Sequence, residues 1–278
     1  MVSTHTARRA WRRLEPVHGM IYFVPEAAEQ FAALGVTDRQ MGYFASRGAA
    51  FGRVSPEVVI ATFFNFSPGL VRRALPAAWE IVSPERLLDA RLRAAGNALK
   101  RVGLDQHPHL AETLALARRA AEAAGGHLDG RPLFAAHATL PWPEEPHLAL
   151  WHAQTLLREF RGDGHIAALT VEGLSGREAL VLHAASGDVP AIFLKASRGW
   201  SAAEWDATEE DLRRRGLLGE GLTLTAQGEA LRRRIEDRTD ELALPAYAPL
   251  GEQDCARLAE LARAFGRAVV DGGLLTFA

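Results

Sequence analysis

Apolar positions along this chain recur mostly at helical spacings, and turn residues cut the pattern into many short segments. Residues Thr6 to Leu14 open a helix that Pro16 is expected to interrupt, and the apolar run from His18 to Phe23 closes at Pro25. Thr37-Asp-Arg-Gln40 has the form of a capping box ahead of Met41, Tyr43, Phe44 and Phe51. Ser-Pro steps at 55, 67 and 83 place serine at the N-cap and proline at the first helical position, which predicts short helices in succession. The first of these, residues 56–66, is nearly continuously apolar and is expected to be buried. Amphipathic helices are predicted at 86–102 and 111–124, around a His-Pro-His turn at 107–109. Gly125-Gly126 and the proline-rich stretch 140–146 then mark a boundary, dividing the chain into 1–145 and 146–278.

The second half opens on a helix from His147 to Phe160 with Leu148, Trp151, Thr155 and Leu156 on one side. Arg161-Gly-Asp-Gly164 reads as a tight turn, with Asp163 capping a helix at 165–171; further helices follow at 177–185 and 252–270. Ser201-Ala-Ala-Glu204 is a capping box for a helix ending at Arg215, where Gly216 supplies the left-handed turn. Leu217-Leu218, Gly219-Glu-Gly221 and Leu222 to Thr225 read as strand, turn and strand, and Thr225 caps a helix towards Ala243. This order, helix, Arg-Gly-Leu-Leu, short hairpin and Leu-Thr-x-x-Gly helix, resembles the winged-helix module of MarR-type regulators.

The chain also resembles an actinobacterial family of helix-turn-helix proteins through Glu-Pro-Val-His-Gly-Met-Ile-Tyr-Phe at 15–23, Arg-Gly-Asp-Gly-His at 161–165, Ser-Arg-Gly-Trp at 197–200 and Arg-Thr-Asp at 238–240. The resemblance implies a fold and no activity. The expected fold is mainly α, a winged helix-turn-helix with a small β-hairpin wing and a helical N-terminal half. Ala45-Ser-Arg-Gly48 before Ser55-Pro-Glu mirrors Ala196-Ser-Arg-Gly199 before Ser201-Ala-Ala-Glu204, so the N-terminal half reads as a degenerate second copy. Such a chain would be a monomeric pseudo-dimer; a homodimer is the other arrangement.

Charge complicates the DNA-binding reading. Residues 201–211, the presumed recognition helix, carry Glu204, Asp206, Glu209, Glu210 and Asp211 and no base, whereas contact with phosphates needs cations. The bases that would serve DNA are Lys195, Arg198, Arg213, Arg214 and Arg215. A formal charge of −2 gives no global pull towards nucleic acid. A lone cysteine, Cys255, excludes an internal disulfide and a cysteine-built zinc site. With neither a signal-like N-terminus nor an apolar stretch of bilayer length, a cytoplasmic protein with no membrane partner is expected.

Two polar segments carry the candidate chemistry. Glu15, His18 and Tyr22 lie three and four residues apart and share one helical face if the helix survives Pro16. Arg158, Arg161, Asp163 and His165 crowd the second, where an arginine would hold a carboxylate or phosphate while His165 moves a proton. The candidate catalytic set is therefore Glu15, His18, Tyr22, Arg158, Asp163 and His165. Tyr43, Phe44, Phe63, Phe64 and Trp151, with Asp240 at a polar edge, are the candidate ligand-binding residues. Glu15, His18, Asp163 and His165 would make an oxygen and nitrogen metal set only if both segments met, so no metal is assigned, and no motif identifies a cofactor. The leading expectation is a small-molecule-binding winged-helix protein, with an enzyme acting on a largely apolar compound as its extension. A ligand-responsive MarR-like regulator that binds duplex DNA is the alternative, and a purely structural or partner-binding protein is the third reading.

Overall fold

The computed structural model describes residues 1–275. Its helices, in chain order, are α1 (Thr4–Gly19), α2 (Pro25–Ala32), α3 (Arg39–Gly48), α4 (Pro56–Phe63), α5 (Pro68–Ala74), α6 (Ala77–Ile81), α7 (Pro84–Arg101), α8 (Leu110–Ala124), α9 (Pro132–Ala138), α10 (Pro146–Val171), α11 (Gly176–Ala185), α12 (Ala191–Arg198), α13 (Ala202–Arg214), α14 (Ala226–Tyr247) and α15 (Gly251–Asp271). The molecule is mainly helical, and no helix among the described residues is long and apolar enough to cross a membrane.

Local capping chemistry sets most helix starts. Proline occupies the first turn of α4, α5 and α7, and the Ser83 hydroxyl accepts the Arg86 amide. Ser201 and Glu204 form a reciprocal capping box on α13, and Thr225 caps α14 by accepting the Gly228 amide. The cap of α3 falls one residue later than the Thr37 motif predicts: Asp38 accepts the Met41 amide at 2.6 Å.

Tertiary packing overrides three local expectations. Helix α1 continues through Pro16 to Gly19, with α15 laid so closely along it that a Cβ on Gly266 would stand 2.4 Å from the Arg13 carbonyl oxygen. Helix α10 runs unbroken through Arg161-Gly-Asp-Gly164, so the expected turn does not form. Its glycines serve close approach, since a Cβ on Gly164 would lie 2.9 Å from an Arg131 nitrogen and 3.3 Å from Leu242 of α14. Residues 56–66 are not uniformly buried: α4 ends at Phe63 and turns inward Val59, Thr62 and Phe63, leaving Val58 40% exposed.

Apolar side chains gather in two clusters. The larger joins helices α1 to α10 with the end of α14 and α15, so it draws on both sides of residue 145. The smaller is built from Leu169, Leu180, Leu194, Trp205, Leu212 and Leu231, which tie α11, α12 and α13 to the end of α10 and the start of α14. Helices α10 and α14 pass through both clusters. The predicted hairpin wing is reduced to one antiparallel bridge, Leu218 to Leu224, around a single turn of 3-10 helix at Glu220–Leu222. The amides of Leu217 and Leu218 are both spent on the Leu212 carbonyl, at 2.9 and 3.3 Å, which leaves little backbone for a ladder.

Candidate functional site

A cavity of about 1180 Å³ opens between the C-terminal end of α1, the segment 20–28, α3 and α12. Phe31, Phe44, Phe66 and Phe193 form apolar walls, and Tyr22, Tyr43, Arg158 and Arg198 bring polar groups to it. A concave space of this order, with aromatic walls and polar groups brought to one side, has the character of a small-molecule site.

Three of the six catalytic candidates, Glu15, Tyr22 and Arg158, line the cavity, and a fourth, His18, lies directly behind Tyr22. Arg158 Nε donates to Glu15 at 2.7 Å, and Tyr22 lies within 2.9 Å of His18 Nε2. The Thr155 hydroxyl donates to the Trp151 carbonyl at 2.9 Å, so at 2.8 Å it can only accept from His18 Nδ1. That fixes the neutral tautomer in which His18 Nε2 accepts the Tyr22 hydroxyl proton. Burial, reinforced by Arg158, Arg91 and Arg47, holds the His18 pKa well below the usual imidazole value. His18 thus orients Tyr22 rather than facing the cavity itself.

Several groups around this cluster were not anticipated from the sequence. Glu159 is buried and binds Arg47 at 2.9 Å and Arg158 at 3.0 Å. Burial opposes its ionisation, but Arg47 and Arg158 outweigh that and hold the carboxyl at about 2. Arg91, 2% exposed, donates to the hydroxyls of Ser46 and Tyr22 and stacks over the Tyr22 ring. Burial alone would raise the Tyr43 phenol, yet Arg47, Arg198 and Arg158 bring it below its usual value. The Tyr43-x-x-x-Arg47 spacing on α3 was the available signal for Arg47, which donates to the Tyr43 hydroxyl at 3.3 Å.

Asp163 and His165 lie apart from this cluster. Asp163 accepts the Phe134 amide at 2.9 Å and so caps α9 rather than a helix of its own. His165 Nδ1 meets the Thr239 hydroxyl at 2.9 Å, and that hydroxyl donates to the Ile235 carbonyl, so His165 is the donor there. Arg161 and Arg8 bracket Asp240 in a third group, at 2.7 and 3.2 Å. Of the remaining ligand candidates, Tyr43 and Phe44 line the cavity, Phe63 packs behind Tyr43, and Trp151 stacks on His18. Phe64 faces a smaller recess beside Trp200. No three His, Cys, Asp or Glu side chains gather as a metal site among the described residues.

Burial raises the Asp163 carboxyl to about 7, more than the Phe134 amide lowers it. Because the folded state holds this proton more tightly than the unfolded chain, the associated stability is present below the ordinary carboxyl pKa and lost as pH rises towards 7. Asp163→Asn, which keeps an acceptor for Phe134, is expected to stabilise the protein by roughly 2 kcal/mol at pH 8 and hardly at all at pH 4. Urea unfolding of both proteins at the two pH values checks this.

The α11-α12-α13 lobe borders this cavity through α12. Over nearly its whole length the chain matches a helix-turn-helix family model, at residues 7–276. The chain belongs to this helix-turn-helix family. Neither a curated protein nor a solved structure matches it.

In the α11-α12-α13 lobe, four of the five bases proposed for DNA are tied to acids. Arg213 lies 2.5 Å and Lys195 4.0 Å from Glu209, Arg214 pairs with Asp211 at 2.7 Å, and Arg215 binds Glu178. Arg198 points the other way: it lines the cavity, with its guanidinium 4.6 Å over the Phe66 ring. Asp206 and Glu210 stand on the exposed face of α13.

Proposed function

We propose that this helix-turn-helix protein binds a small, largely apolar organic molecule in the cavity between α1, α3 and α12. The observation that carries this reading is the cavity itself, about 1180 Å³ with aromatic walls and an arginine and tyrosine floor. A role in binding rather than proton transfer is supported by His18, whose two ring nitrogens are both engaged within the protein. The acids of α13 and the ion pairs around Arg213 and Arg214 favour a lobe no longer adapted to DNA.

A second reading, a ligand-responsive MarR-like regulator, is favoured by the family and by the sharing of α12 between the cavity and the helix-turn-helix lobe. Its wing would be the Leu218 to Leu224 turn, and its DNA contacts would require Arg213 to Arg215 to exchange acidic partners for phosphates. Native mass spectrometry of purified protein, with and without a random duplex, separates the two. A co-purifying organic mass with no captured duplex is the expected result. Salt-dependent duplex capture, with log affinity falling linearly against log salt, would establish the regulator instead.

A further inference from the structure

We infer that the cavity takes an organic anion, whose charged group pairs with Arg198 while an apolar body lies against Phe44, Phe66 and Phe193. This rests on the small-molecule reading of the cavity and adds the ligand's chemical class. Arg158 and Arg198 line the inner side of the cavity with Arg47 packed behind them, and the carboxylates beside these groups are already engaged, Glu15 by Arg158 and Glu159 by Arg47 and Arg158. Arg91 does not line the cavity; it donates to the Ser46 and Tyr22 hydroxyls and packs over the Tyr22 and Trp151 rings. Arg198 lines the cavity, faces no carboxylate within 4.0 Å among the described residues, and donates only to the Ser197 hydroxyl, at 2.8 Å. Its Nε is buried without an acceptor.

A guanidinium in that state is costly. Burial and, less strongly, the repulsion of Arg47 weigh against its charge, while Tyr43 and the faces of Phe66 and Phe193, at 4.6 and 5.9 Å, compensate only in part. A carboxylate in the cavity would accept charge-assisted hydrogen bonds from the terminal nitrogens of Arg198 and offset its charge, and the planar fork of arginine suits it. Arg12 and Arg39, exposed lining residues set against the exposed Asp38, leave the solvent side of the lining cationic as well. A cationic ligand would have to enter past these groups and rest beside unpaired arginine. A neutral ligand would leave Arg198 as it is.

The test uses matched probes on the full chain: 2-naphthylacetate against 2-(2-naphthyl)ethanol, and decanoate against decan-1-ol, by isothermal titration calorimetry at pH 7.5. Each acid is expected to bind about tenfold more tightly than its alcohol, the worth of one charge-assisted hydrogen bond. Arg198→Met is expected to erase that ratio while leaving the alcohol's affinity within about threefold, and Arg198→Lys to keep part of it. Equal affinity of acid and alcohol for the unmodified protein would overturn the anion inference and leave the small-molecule reading standing. A ratio that survives Arg198→Met in a folded variant would also overturn it. Failure of all four probes to bind would remove the cavity reading together with the inference. The acid to alcohol ratio on the unmodified protein decides the matter even where the variants do not fold.

Discussion

Glu159→Gln is expected to destabilise the protein by about 3–5 kcal/mol, the usual cost of removing one partner from a buried ion pair. Glu159 is 2% exposed and both of its oxygens are used: one accepts from Arg47 and Arg158 at 3.3 and 3.0 Å, the other from Arg47 at 2.9 Å. Glutamine fills the same space without the charge, so Arg47 would lose its carboxylate partner and Arg158 would keep only Glu15. The Phe63 ring, 4.3 Å from the Arg47 guanidinium, cannot replace a carboxylate. With its folded pKa held at about 2, Glu159 contributes stability that is present above the ordinary carboxyl range and lost as pH falls towards 2. Urea unfolding at pH 7 should therefore show the full loss, and the gap between the two proteins should narrow below about pH 4. Adding Arg47→Met to Glu159→Gln should recover part of the deficit, because a paired removal leaves fewer uncompensated charges. A loss under about 1 kcal/mol at pH 7 would mean that the pair is solvated like a surface salt bridge.

Gly176→Ala is the second large effect. Gly176 is the first residue of α11, and a Cβ there would stand 1.8 Å from the Phe64 carbonyl oxygen and 2.6 Å from its carbon. Backbone atoms cannot swing aside as a side-chain tip can, and Phe64 already has a left-handed φ of 57°. The contact belongs to a seam in which Trp200 Nε1 donates to the Asn65 carbonyl at 3.0 Å and the Ser67 amide to the Arg198 carbonyl at 2.9 Å. The methyl is expected to cost about 3 kcal/mol or more and to part the α11-α12-α13 lobe from the α4–α5 connection. Hydrogen exchange at the Ser67 amide reports the parting directly. Gly162→Ala is the control: its nearest new neighbour would be Glu159 at 3.7 Å, and within α10 alanine should be neutral or slightly stabilising. Equal melting of the two variants would show that α11 and Phe64 do not meet as described.

The sequence by itself determined where many helices begin and one face of the site. Ser83, Ser201 with Glu204, and Thr225 act within three residues of their own position, because the unpaired amides of a first helical turn lie that close to the cap. Glu15, His18 and Tyr22 came together for the same reason of short spacing, once α1 continued past Pro16. Only the tertiary structure decided the rest. Pro16 and the glycines at 162 and 164 read locally as breaks, yet α15 and α14 pack on those stretches and the helices run on. Asp163 and His165, close to Arg158 in sequence, turn towards α9 and α14 because successive residues of a helix face different neighbours. Arg47 meets Glu159 across 112 residues, and Arg198 turns into the cavity rather than out towards solvent. Which charges neutralise one another in a buried wall depends on how distant helices are laid together, and no local spacing encodes that.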